Sequence, residues 1–158
     1  EIGYNFEPSE ISASFGLIQL KKLSLFNKIR NKNFISHVNF FNTYNEFFIN
    51  PIVEKKIKTN FLAYPLILKK NKLFSRKELQ IYLENKKIQT RPIFSGNILR
   101  HPAFKNLNYR NNNLNSYKNS DYIMKNGLLI GCHQGLSKKH ISYIHRVIKK
   151  FIFDKRNK

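Results

Sequence analysis

The chain has 158 residues, 41% hydrophobic and 14% aromatic, with 29 Lys and Arg against 9 Asp and Glu. That is enough apolar material for one domain with a genuine core, and the length makes two domains an unnatural division; wholesale disorder is excluded. A single cysteine, Cys132, excludes an internal disulfide and suits a reducing, cytoplasmic setting, and the longest apolar run, Phe61 to Leu68, is far too short for a membrane span.

The formal net charge of +20 raises a nucleic-acid reading, since excess Lys and Arg is the footprint of phosphate binding. The lysines, however, are scattered in pairs at 21–22, 55–56, 69–70, 86–87, 138–139 and 149–150. A dedicated module concentrates them in one stripe or interleaves them with Gly-aromatic signatures. Lys, Asn, Ile and Phe are all abundant, as AT-rich codon usage produces. A free-standing basic nucleic-acid-binding protein is therefore the lesser alternative. No charged-then-apolar leader opens the chain, and a first residue of Glu rather than Met fits a piece of a longer protein.

In chain order, Pro8 and Ser9 mark a helix start with Glu10 in the first turn, where the helix dipole favours negative charge. Ile11, Phe15, Ile18, Leu25 and Ile29 follow on one helical face, leaving Lys21, Lys22 and Lys28 outside it. The pattern extends through Phe34, Val38 and Phe41 towards Phe48, and a helix that long predicts a connector rather than an ordinary core element. Pro51 closes it, which divides the chain into a connector region, 1–50, and a small domain, 51–158. Phe61 to Leu68 reads as a strand. Ser75-Arg76-Lys77-Glu78 is a capping box opening a short helix with Leu79, Tyr82 and Leu83 inward. Ile88 to Phe94 is extended but broken by Pro92, which places it at an edge. Ser95 to Phe104 crowds Gly, Asn, Arg, His and Pro without periodicity, as a functional loop does. An Asn-rich connector over 106–119 follows, then a buried strand, Leu128 to Gly131. Ser137 caps a last helix with Ile141, Ile144, Ile148 and Phe151 on one face, and the tail after Asp154 is expected to fray. The sum is an α+β domain: a small, mainly antiparallel sheet covered on one face by helices.

Self-sufficient chemistry is not visible. No Gly-rich phosphate loop occurs, Cys132-His133 lacks the further spaced ligands that zinc needs, and His140 and His145 miss the i, i+4 spacing of a helical metal pair. Cys132-His133 reads as strand-end packing. Asn5, read alone, fits an Asx-type turn before the helix.

Four segments together carry a resemblance. Gly3-Tyr4-Asn5-Phe6-Glu7-Pro8-Ser9-Glu10-Ile11, running to Ala13 and Gly16, resembles the GYN-x-(R/K)-x-(T/S)-(E/D)-(I/M/L)-Q-A-A-x-G motif of the DegT/DnrJ/EryC1/StrS family. It departs from it at Glu7, where a basic residue is usual, and at Ser12, where Gln is usual. Residues Thr90 to Phe104, with Gly96-Asn97, Arg100, Pro102 and Phe104, look like the branch containing the CDP-4-keto-6-deoxyglucose 3-dehydratase and related lipopolysaccharide-biosynthesis proteins. Asn119-Ser120-Asp121 through Met124 resembles that branch's N-(T/S)-D-x-x-M, with Asp121 expected to cap a short helix and Met124 to pack beneath it. Gly131-Cys132-His133-Gln134-Gly135-Leu136-Ser137 is similar to the family's G-x-x-(P/H)-G-L-(T/S) ending.

The resemblance implies the small C-terminal domain of a fold-type-I transferase dependent on pyridoxal 5'-phosphate (PLP) or pyridoxamine 5'-phosphate. It implies a homodimer acting on a nucleotide-diphospho-4-keto-6-deoxyhexose in lipopolysaccharide or deoxysugar synthesis, either as aminotransferase or as 3-dehydratase. The residue that decides between them, Lys or His, is expected upstream of Glu1. Asn5 is then the cofactor contact, its amide donating to the PLP phosphate across the dimer, and Asn97 and Arg100 are the substrate contacts, the guanidinium suited to a diphosphate. No catalytic residue is implied within the chain.

Overall fold

A computed structural model of the protein describes residues 3, 7, 9–54, 56–57, 59–104, 106 and 117–157. Helix α1 (Glu10–Asn42) runs unbroken for 33 residues, about 50 Å at 1.5 Å per residue. Its two ends live in different surroundings. From Glu10 to Leu25 only Gly16 and Gln19 are less than fully exposed, and the apolar stripe predicted there faces open space, with Ile11 83% and Phe15 67% accessible. From Asn33 onward the same helix is core: Phe34, His37 and Phe41 are buried. The helix stops at Asn42, short of the expected Phe48. Thr43 and Tyr44 turn back onto the carbonyls of Phe40 and Phe41, and Phe48 then enters strand β1 (Phe48–Ile49).

The sheet is small and wholly antiparallel, in the order β1-β2-β4-β3, with β2 at Ala63–Leu68, β3 at Thr90–Arg91 and β4 at Gly127–Gly131. Opposed residues in an antiparallel pair share a face. The register pairs Phe48 with Leu68, Leu66 with Leu128, and Tyr64 with Ile130, which in turn opposes Thr90. All seven are buried, so the alternation along β2 sends every second side chain under the helices. Pro65 stands on the other face, while two-residue β3 takes the edge, as Pro92 predicts.

Helices α2 (Arg76–Asn85) and α4 (Lys138–Arg156) begin at the predicted caps. Ser75 and Glu78 exchange both bonds of a capping box, and Ser137 does the same with His140 in the acidic residue's place. Leu79 and Leu83, then Ile141, Ile144, Ile148 and Phe151, are buried as their spacing requires. The tail does not fray after Asp154. Lys155 pairs with Glu78 and Arg156 with Glu46, and these ties hold the helix to Arg156. A further helix, α3 (Lys118–Asn126), begins in the last two residues of the connector; residues 107–116 of that segment lie outside the described residues. Among the described residues no helix is long and apolar enough to cross a membrane.

A polar seam fixes α1 on this body. The Asn33 amide donates to the carbonyls of His133 (3.1 Å) and Leu136 (3.0 Å), while His37 Nε2 donates to Gly131 O at 3.0 Å and its Nδ1 meets His145 Nε2 at 3.0 Å. Only one proton fits between the two imidazoles, so they cannot both be charged, and burial disfavours charge on either. Burial pulls His37 down to about 4 against the opposing pull of the Gly131 carbonyl, and burial, helped by His37, does the same to His145. The unfolded chain therefore binds these protons near pH 6.5 while the folded one does not. Stability is expected to fall as pH drops from 7 to 5, by about 2 kcal/mol from His37 alone, with the loss levelling off below pH 4. Denaturant midpoints across that window measure it; a midpoint equal or higher at pH 5 is inconsistent with a neutral buried pair.

Candidate functional site

The loop after β3 is built on two left-handed residues. Phe94 has φ 48° and Gly96 has φ 66°. Gly96 is obligatory for a second reason: a Cβ there would lie 2.5 Å from Met124 Cγ. Phe94 has no such excuse. A bulky side chain at positive φ is strained by about 1–2 kcal/mol, and this one is 86% exposed, so its own packing gains do not offset the cost.

What holds the loop is a clamp between it and α3. Asn97 is 4% accessible and uses both ends of its amide. Its Oδ1 accepts from Leu99 N at 3.1 Å, opening the short 3-10 turn Ile98–Arg100, and its Nδ2 donates to Asp121 Oδ1 at 2.7 Å. Arg100 grips the same carboxylate with two aligned bonds, Nε to Oδ1 at 2.9 Å and Nη2 to Oδ2. The Arg100 guanidinium first, and the Asn97 amide second, hold the Asp121 carboxyl down to about 2. His101 donates from Nε2 to Ser95 O at 2.6 Å, closing the turn from the other side. The segment 95–104 is thus an ordered hairpin of two 3-10 turns with Phe94 displayed at its entrance.

Two expectations need correction. Asp121 does not cap α3: Tyr117 stands at that position, and Asp121 lies a turn inside, where its side chain turns outward to Asn97 and Arg100. Met124 packs against Gly96 rather than merely beneath its own helix. Of the predicted contacts, Asn97 and Arg100 converge on one carboxylate, while Asn5 lies outside the described residues. Cys132 is buried and weakly bonded to Phe61 O, and burial pushes its thiol up to about 11, as expected of packing rather than a nucleophile. Among the described residues no group of His, Cys, Asp or Glu can hold a metal. Sequence reasoning missed Phe94; a bulky residue immediately before a Ser-Gly-Asn turn was the available signal.

Removing the Asn97 amide should loosen the clamp. Asn97→Ala is expected to cost about 1 kcal/mol, since it removes a buried amide and two part-buried hydrogen bonds while Arg100 still holds Asp121. Asn97→Asp, nearly isosteric, should be at least as harmful, because it sets a second carboxylate against Asp121. Thermal melts decide this, and wild-type stability in Asn97→Asp would disprove the clamp. Phe94→Gly, by contrast, should leave the melting midpoint unchanged or higher, because it relieves the left-handed strain.

Comparison with known proteins places this geometry. The family model described as the DegT/DnrJ/EryC1/StrS aminotransferase family matches residues 1–149. The lipopolysaccharide biosynthesis protein RfbH of Salmonella typhimurium is 31% identical over 150 residues, 95% of this chain and 34% of that protein. The GDP-4-keto-6-deoxy-D-mannose 3-dehydratase of Escherichia coli O55:H7 is 32% identical over 148 residues, 93% of this chain and 37% of that enzyme. A solved E. coli GDP-4-keto-6-deoxy-D-mannose-3-dehydratase with bound hydrated PLP superimposes with a TM-score of 0.77 at 32% identity, over 92% of this chain and 36% of that one. The chain therefore spans about a third of the length of the relatives it matches. With nearly its whole length matched, the chain belongs to the DegT/DnrJ/EryC1/StrS aminotransferase family.

Proposed function

We propose that this chain is the small domain, with its connector, of a PLP- or pyridoxamine-phosphate-dependent enzyme acting on a nucleotide-diphospho-4-keto-6-deoxyhexose in lipopolysaccharide or deoxysugar synthesis, and that the intact enzyme is a cytoplasmic homodimer. Residues 1–50 act as connector and 51–158 as the small domain, with the last third of α1 embedded in the latter. The observation that carries the reading is the strained display of Phe94 on a loop fixed by the Asn97–Asp121–Arg100 clamp. Strain of that kind persists where surrounding structure over-determines it, and it concentrates at ligand-facing sites. Relatives matched over nearly the whole chain include GDP-4-keto-6-deoxy-D-mannose 3-dehydratases, which favours the dehydratase branch over the aminotransferases.

The cofactor, when bound, supplies an electron sink next to the reacting sugar carbon. The residues of this chain do the rest of the holding. Asn5 offers its amide to the cofactor phosphate, a neutral donor that demands no counter-charge. Glu7, in place of the usual base, removes one cation that would otherwise help hold the substrate phosphates. Phe94 walls the sugar and excludes water. Asn97 acts from inside, keeping the loop in shape, and Arg100, on the rim of the clamp with its side chain 34% accessible, is the member that meets a diphosphate oxygen. The exposed stripe of α1, Ile11 to Leu25, docks on the cofactor-bearing part of the enzyme.

The test supplies the enzyme that carries this chain with PLP, glutamate and a nucleotide-diphospho-4-keto-6-deoxyhexose. Mass spectrometry of the sugar then shows loss of the C3 hydroxyl, or gain of an amino group for the aminotransferase branch. Phe94→Ala should lower kcat/KM by about tenfold or more without lowering the melting midpoint. The 158-residue chain alone is expected to turn nothing over. An intact enzyme that leaves the sugar unchanged, while the chain binds RNA with a steep salt dependence, would replace this reading with the nucleic-acid one.

A further inference from the structure

At the end of the sheet opposite the Phe94 loop, the short edge strand leaves a gap. Strand β3 pairs only with Leu129 and Ile130 of the five residues in β4. A cavity of about 380 Å³ opens there, between the end of β4, the turn at 87–89 and the first turns of α4. Its floor is apolar: Ala63, Leu129, Leu136 and Ile144. Its rim is unusual in offering donors and no acids. Lys87 and Arg91 are the cations, and none of the described lining residues is Asp or Glu. Outside the lining, the Glu84 carboxylate lies within reach of the Arg91 charge and is held by Thr90 N at 2.6 Å and Thr90 Oγ1 at 2.7 Å, which leaves Lys87 as the cation without an acid among the lining residues.

Two histidines complete the rim, and the backbone dictates which nitrogen of each carries the proton. Gly135 N donates to His133 Nδ1 at 3.1 Å, and Ser137 N donates to His140 Nδ1 at 3.1 Å. An accepting Nδ1 carries no hydrogen, so each ring presents its Nε2–H as the donor. Both line the cavity. Tyr143 adds its ring, since its hydroxyl is spent on Lys86 O at 3.0 Å. Cations and fixed N–H groups around a greasy floor match one ligand chemistry.

We propose that this cavity is a binding site for an amphipathic monoanion, a carboxylate carried on a flat apolar body. The carboxylate lies at the rim, between Arg91, Lys87 and the two imidazole N–H groups, and the apolar body covers Leu129 and Leu136. The site makes no use of the clamp or of the residues offered to substrate, so it stands or falls separately from the function proposed above.

The probe is 2-naphthoate, titrated calorimetrically into the 158-residue chain, with 2-naphthamide as its neutral counterpart and acetate as the anion without a body. Saturable binding of naphthoate is expected, about tenfold or more tighter than the amide, with acetate weaker than both. Long-range proton–nitrogen correlation spectra should show the Nε2 signals of His133 and His140 moving on saturation, while those of His37 and His145 stay fixed. Arg91→Gln and Lys87→Gln, both on exposed side chains, should each weaken naphthoate severalfold and leave the amide unchanged. Equal affinity for naphthoate and naphthamide, ring shifts confined to other histidines, or undiminished binding in the Arg91→Gln, Lys87→Gln double variant would each overturn the proposal.

Discussion

Everything in this molecule takes its direction from where α1 meets the sheet. Over its last ten residues the helix is nailed to β4 and α4 by a short polar row, Asn33 on two carbonyls and His37 between Gly131 O and His145. Aromatic rings fill in around it. Phe41 stacks on Tyr64 at 5.3 Å, and Phe34 lies on Phe61 at 3.5 Å. A helix is stiff over this length, so fixing one end aims the other. The free part, Glu10 to Leu25, therefore leaves the body in one direction with its apolar stripe uncovered. A row of exposed Leu, Ile and Phe in that position is a contiguous apolar surface of the kind that marks a contact site.

The seam also explains why polar residues sit in the core at all. Buried Asn33 and His37 are costly without partners, and the Asn33 amide N–H groups and both His37 nitrogens find theirs in this register of α1. Sliding the helix by a turn would orphan both. A purely apolar contact would tolerate such a slip, so the polar row fixes which residue of the helix lies over Gly131.

The Phe94 loop shows the same logic on a smaller scale. Asp121 is a single carboxylate serving two partners from a different part of the chain, 21 and 24 residues away. With Arg100 and Asn97 both committed to it, the 3-10 turns have no freedom to relax, and the strain at Phe94 is trapped. Because Gly96 backs directly onto Met124, α3 must lie where it does for the loop to close. Loop and helix therefore specify each other, and Phe94 is held in a fixed place.

Local chemistry decided much of this architecture from the sequence by itself. Ser75 with Glu78 and Ser137 start helices because the capping atoms lie within three residues; the apolar run Phe61 to Leu68 makes a strand, though its alternating burial is set by the helices on one face; Pro92 puts β3 at the edge; and the order of four short motifs gives the family. Contacts between residues far apart in sequence were decided only in three dimensions. His37 and His145 are 108 residues apart, and nothing in the spacing of His140 and His145 along α4 hints that the second would turn to a histidine on α1. Asp121 looked like a cap because an acid near a helix start usually is one, but the helix begins at Lys118 and leaves Asp121 a turn inside, where Asn97 and Arg100 reach it. The tail beyond Asp154 looked loose for the same reason in reverse: Glu46 and Glu78, which tie it down, are invisible to any window along the chain. Periodicity and capping act over a few residues and can be read in order, whereas a side chain's choice of partner is settled by which groups the fold leaves closest.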